Sequence, residues 1–140
     1  MENFKISNTF VVSVPHGSDL LGFIEDFAAQ KGIAAAQISG IGAVQKAVVG
    51  YYDQAKREYL SNAIDEPMEI SALLGNVSLK DSKPFPHIHI SLAKKDGSLV
   101  GGHLSAGTIV FACEIIIHKL EGVAPVRGFD EQTGLFLWTK

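Results

Sequence analysis

Three histidines stand out because their spacing lets them meet on one surface: His87, His89 and His103. The first two lie in Pro86-His87-Ile88-His89-Ile90-Ser91-Leu92, which alternates strictly between polar and apolar residues after the proline. In an extended strand, residues i and i+2 point to the same side. His87, His89 and Ser91 therefore share one face, while Ile88, Ile90 and Leu92 take the other, the core side. His103 lies in the next strand-like stretch, Ser98 to Leu104. Three imidazoles on two adjacent strands suit zinc or a similar divalent ion. Three protein ligands also leave the open fourth position that marks catalytic rather than structural zinc. The competing reading makes them ordinary polar residues on a solvated sheet face, and for the His-x-His pair alone it would prevail.

The turn Lys95-Asp96-Gly97 decides whether His103 joins the pair. A two-residue Asp96-Gly97 loop pairs Lys95 with Ser98, sets His103 opposite Ile90 and turns it to the wrong face. A three-residue loop, with Gly97 in the left-handed conformation of a bulge, pairs Lys94 with Ser98. It puts His89 opposite His103 and aligns Ser91 and Ser105 with that face. A bulge at Gly101-Gly102 could rescue the shorter loop. Turn chemistry alone leaves both registers open. The burial pattern prefers the longer loop, which keeps Leu104 with Ile88 and Ile90 on the apolar side.

A zinc centre that works as an enzyme lowers the pKa of coordinated water to about 7 and needs a general base nearby. Glu69 and Glu114 are the candidates, both inside apolar strands where a carboxylate needs a partner, and Arg127 is a partner for one of them. The simpler reading gives each glutamate a structural hydrogen bond or ion pair, so the metal reads as a binding module first and an enzyme second. Cys113, the one cysteine, sits in an apolar run and reads as a small buried hydrophobe. It excludes an internal disulfide and suits a reducing cytoplasm. His118 reads as a partly buried structural histidine and His16 as a loop or capping residue. Gly40-Ile41-Gly42 is rejected as a dinucleotide loop, because a strand-like segment follows where a helix should start. It reads as a tight bend.

The elements that must carry these residues are mostly strands. Phe4–Ile6, Thr9–Val14, Ala34–Ser39, Val44–Asp53, Tyr59–Ser61, Met68–Leu79, His87–Ala93, Ser98–Leu104, Ile109–Leu120 and Leu135–Trp138 are rich in β-branched and aromatic residues. Ser82 to Pro86, with two prolines, reads as a loop. One amphipathic helix is expected over residues 19–31, with Ser18 as N-cap, Asp19 in the first turn and Gly32 just past the end. A single helix cannot supply parallel crossovers for so many strands. The fold class is therefore α+β, a mainly antiparallel sheet with one flanking helix, in a single domain over residues 1–140.

Composition narrows the function classes. Of 140 residues, 46% are hydrophobic, too many for a disordered chain. No run approaches the roughly 20 apolar residues of a membrane span, and Glu2 and Lys5 are followed by no apolar signal core. A formal net charge of −3, with lysines and arginines scattered along the chain, disfavours direct DNA binding.

The central motif, Pro86-His87-Ile88-His89-Ile90-Ser91-Leu92 with Asp96-Gly97 and Gly101-Gly102-His103-Leu104, resembles that of the plant and prokaryote conserved (PPC) domain family. Ser39-Gly40-Ile41-Gly42-Ala43-Val44 and Gly50-Tyr51-Tyr52-Asp53 are similar to its early block. Glu69-Ile70 with Leu74-Gly75-Asn76 is similar to its middle. Phe111-Ala112-Cys113-Glu114 and Thr133-Gly134-Leu135 are similar to its end. The resemblance implies an antiparallel sheet with a flanking helix, assembled as a homotrimer, with a divalent metal on His87, His89 and His103. In plants the domain follows AT-hook DNA-binding motifs and mediates assembly and partner contacts. This chain carries no AT-hook, so their direct DNA binding does not carry over. A regulatory role through protein partners, or a small-molecule ligand at the metal, is what the resemblance leaves open.

Overall fold

The computed structural model describes residues 5–139. Strands β1 (Lys5–Val14), β2 (Ala36–Asp53), β3 (Glu58–Ile64), β4 (Met68–Lys80), β5 (Lys83–Ala93), β6 (Leu99–Leu104) and β7 (Ile109–Glu121) form one sheet. β8 (Arg127–Asp130) and β9 (Leu135–Trp138) form a separate hairpin. Every pairing between these strands is antiparallel. The one helix among the described residues is α1 (Leu20–Gln30).

Asp19, rather than Ser18, is the N-cap of α1. Its Oδ1 accepts from Gly22 N at 2.9 Å and its Oδ2 accepts from Gly107 N at 2.5 Å. One carboxylate thus satisfies an orphan donor of the first turn and ties the helix to the β6–β7 turn, which a serine hydroxyl could not do at both places. At the other end Gly32 (φ +58) closes a Schellman motif, with Gly32 N to Ala29 O and Ile33 N to Ala28 O. Leu20, Ile24 and Ala28 line the buried stripe, packing with Ile38, Leu73, Ile88, Ile90, Leu92, Ile115 and Ile117 of the sheet.

Three sequence expectations change. β1 runs unbroken over both expected strands, with a bulge between Ile6 and Asn8; Phe4 lies outside the described residues. Gly40-Ile41-Gly42 is not a bend but a bulge inside the 18-residue β2. A Cβ on Gly42 would stand 2.2 Å from Ala112 O, so glycine there lets β7 come close. Residues 82–86 are not a loop. Asp81 and Ser82, both at positive φ, form a two-residue turn, and β5 starts at Lys83. Pro84 and Pro86 are accommodated because they fall opposite Leu79 and Val77, at sites where β5 amides point away from β4. β6 pairs only from His89 onward, so no ladder partner is lost there.

The length of β2 shapes the site. Its first half lies between β7 and β4, and its second half pairs with β3 and β6. Since β6 also pairs with β5, the path β2–β4–β5–β6 closes on itself.

Candidate metal centre

The β5–β6 hairpin adopts the three-residue loop. Lys94 N donates to Ser98 O at 2.9 Å and Gly97 sits at φ +83. His89 therefore lies opposite His103, and Leu104, Ile88 and Ile90 are all buried. A Cβ on Gly101 would meet Ile90 O at 2.2 Å, and one on Gly102 would meet Gly50 O at 2.5 Å. These two glycines let β6 fit between β5 and β2, which carries His103 to its place.

One ligand nitrogen from each of His87, His89 and His103 lies within 4.8 Å of the others. The ring centroids are 5.1–5.7 Å apart. His87 and His103 are half-buried and His89 is exposed. Among the described residues the buried Nδ1 of His103 has no hydrogen-bond partner. A buried ring nitrogen without a partner is costly and fits a metal ligand. An ion with metal–nitrogen bonds of about 2.0–2.1 Å would draw the three nitrogens closer together. The Tyr59 ring lies beside His103, centroid to centroid 5.3 Å. It packs over Gly50, where a Cβ would already be 3.3 Å from Tyr59 Cδ1.

Burial first, then Arg127, His103 and His89, lowers the pKa of His87 to about 4. Burial, His89 and Arg127 likewise lower that of His103. Both rings are held neutral, the form that binds metal. The same shift sets a pH dependence. Between about 4 and the ordinary 6.5, the unfolded chain holds a proton on His87 that the folded one lacks. Stability therefore rises with pH, and is lost as pH falls through that window. The metal-free protein should melt at steadily lower temperature from about pH 6.5 to 4. His87→Gln should flatten that slope; equal slopes in both proteins would refute this assignment.

Arg127 partners neither Glu69 nor Glu114. It is 9% exposed and reaches His87. Nε donates to Ser78 Oγ (2.8 Å), Nη1 to Phe136 O (3.0 Å) and Nη2 to Asn76 Oδ1 (3.2 Å), with His87 Nδ1 3.4 Å from Nη2. Glu69 and Glu114 are exposed and lie elsewhere. Glu69 stands beside Lys94 and Phe111, and Glu114 beside Val11 and Ile41, each in a separate depression. Ser105 Oγ donates to His103 O at 3.4 Å. Ser91 is exposed opposite Gly101, and no hydrogen bond joins it to the cluster among the described residues.

The sequence reading missed a cavity of about 310 Å³ beside the cluster, with His87 and His103 in its wall. Tyr59, Glu58, Arg57 and Lys80 also line it, as do Phe85, Arg127 and Phe136. These residues come from four separate parts of the chain, and no local spacing signals them. Cys113 is buried and its thiol is pushed up to about 11, mainly by burial, so it is no nucleophile. His16 Nδ1 lies 2.8 Å from Phe111 O and His118 Nδ1 3.0 Å from Thr9 Oγ1, which leaves both as local ties. No helix among the described residues is long and apolar enough to cross a membrane.

A family model described as the Plants and Prokaryotes Conserved (PCC) domain matches residues 1–121. Among solved structures, a protein of Archaeoglobus fulgidus described as metal-containing is 54% identical, with a TM-score of 0.94 over 99% of this chain and 97% of that one. A Pyrococcus horikoshii protein described as plant- and prokaryote-conserved (PPC) is 37% identical, with a TM-score of 0.95 over 100% and 96%. A Bacteroides thetaiotaomicron protein provisionally described as DNA-binding is 28% identical, with a TM-score of 0.89 over 96% and 94%. No curated protein matches the chain.

Proposed function

Because the chain belongs to the plant and prokaryote conserved domain family, we propose that it is a homotrimeric metal-binding module holding a divalent ion, zinc first, on His87, His89 and His103. The observation that carries this reading is the convergence of three ligand nitrogens, one from each histidine, within 4.8 Å of one another. A zinc ion there supplies a Lewis acid with one coordination position left to a ligand. The protein's own part is to keep two of the imidazoles neutral and to aim them from paired strands. The metal-containing description of the Archaeoglobus protein points the same way. Stripping the purified protein with a chelator and titrating zinc back should return about one ion per chain. Binding no tighter than to a histidine-free control would refute the reading.

Assembly is supported by the face the histidines share. Directly paired residues run across the sheet as Val11, Ile116, Ser39, Leu74, His89 and His103, all on one side. In and beside this row Val11 is 78% exposed, Ile41 60% and Leu74 58%. An open apolar sheet face of this kind marks an interaction surface. Light scattering at micromolar concentration should give three times the 15.0 kDa chain mass. Val11→Asp combined with Ile41→Asp should shift the mass toward one chain, and a monomeric parent protein would exclude the trimer.

A cytoplasmic, regulatory or DNA-associated role would then run through protein partners, since the net charge of −3 disfavours direct contact with DNA. One observation favours the second reading, a metal-dependent enzyme acting on a small molecule. The cavity wall that holds His87 and His103 also carries a carboxylate, Glu58. Under that reading the zinc-loaded protein cleaves a model ester, and Glu58→Gln abolishes turnover with zinc content unchanged.

A further inference from the structure

We propose that the cavity beside the three histidines binds a small organic carboxylate, its acid group toward Arg127 and Lys80 and its apolar body against Phe85 and Phe136. The inference deepens the metal-binding reading, in which the ion would lie at one end of this cavity, and rests on it for nothing else.

Charge carries the argument. The wall holds three cations, Arg57, Lys80 and Arg127, against one carboxylate, Glu58. Among the described residues no carboxylate lies within ion-pairing distance of any of the three cations. Arg127 is the decisive one, because it is more than nine-tenths buried. Its hydrogen bonds go to neutral partners, the oxygens of Ser78, Phe136 and Asn76 and, at 3.4 Å, Nδ1 of His87. Arg57 likewise spends its donors on the carbonyls of Glu131 and Gln132. Neutral acceptors satisfy the geometry of a guanidinium but not its charge, and a buried charge without a counter-charge is costly. Lys80 Nζ rests 3.7 Å from the centroid of the Phe136 ring and 5.4 Å from that of Phe85, so a positive head stands directly on the apolar wall. An anion with an apolar body answers both features at once.

Size and donors narrow the class. A volume of about 310 Å³ is at the low end for ligand pockets and leaves room for a small acid. Because both guanidinium groups are already engaged, few donors remain for the several oxygens of a phosphate. A carboxylate needs fewer. Of the residues invoked here, Arg127 and Phe136 lie beyond residue 121, outside the segment that the family model matches.

The chain's one tryptophan supplies a readout, since Arg127 Cζ is 5.8 Å from the Trp138 ring. Benzoate, benzamide and inorganic phosphate would be titrated into zinc-loaded and chelator-treated protein, following Trp138 fluorescence and heat. Benzoate should saturate at one per chain and bind about tenfold or more tighter than benzamide, its neutral analogue. Lys80→Gln should weaken benzoate about tenfold and leave zinc content unchanged. Equal binding of benzoate and benzamide, no saturation, or preference for phosphate would overturn the proposal. If zinc fails to load while benzoate still outbinds benzamide, the metal reading falls and this one stands. If zinc loads and benzoate gains nothing over benzamide, this one falls alone.

Discussion

Replacing His103 with alanine is expected to lower zinc affinity by at least about a hundredfold, because removing only an outer-shell partner of a ligand already costs about 10–100-fold. His103 is the most telling of the three ligands. Its Nδ1 is buried without a partner, and β6 reaches the site only through the glycines beside it. Burial and Arg127, the two larger causes of the lowered His87 pKa, remain in the variant, so the loss is that of a ligand rather than of proton competition. Zinc content after dialysis against a weak chelator reads the outcome, with circular dichroism confirming an intact sheet. His87→Ala and His89→Ala should behave alike. Parent-level zinc in all three variants would remove the metal centre from consideration.

Gly101→Ala should be the most destabilising single methyl in the hairpin. Its Cβ would lie 2.2 Å from Ile90 O and 3.2 Å from Ser91 Cα, both backbone atoms that no rotamer change can move. β6 must separate from β5, at a cost on the order of 3 kcal/mol. For a chain of this size that lowers Tm by on the order of 10 °C. The same movement draws His103 away from His89, so zinc affinity falls as well. Gly97→Ala is the control. Nothing lies within 4 Å of its Cβ position, and only its positive φ opposes the methyl, at about 1–2 kcal/mol. If thermal denaturation gives Gly101→Ala the smaller loss, close strand approach is not what requires glycine there.

Much of the fold was legible because its rules are local. Strict alternation placed His87 and His89 on one face and Ile88 and Ile90 on the other, and the structure keeps both. Helical spacing of Leu20, Ile24 and Ala28, with Gly32 after them, located α1 to within a residue or two. The hairpin register was half legible. Lys95-Asp96-Gly97 admits two loops, and burial of Leu104 with Ile88 and Ile90 selects one.

What the sequence by itself determined is therefore the period-two and period-3.6 pattern, and with it which side chains share a face. What only the tertiary structure decided is what faces them from afar. Gly40 and Gly42 look like a bend until β7 is packed against them, and Pro84 and Pro86 look like a loop until the end of β5 that carries them is seen to lack a second neighbour. Glu69 and Glu114 share strands with apolar residues but open onto other depressions. Arg127 is 40 positions from His87 and meets it because β8 and β9 fold back over β4. Such contacts depend on closing long loops and burying distant surfaces together. Their free energy belongs to the whole packed sheet, and no local stretch of residues encodes it.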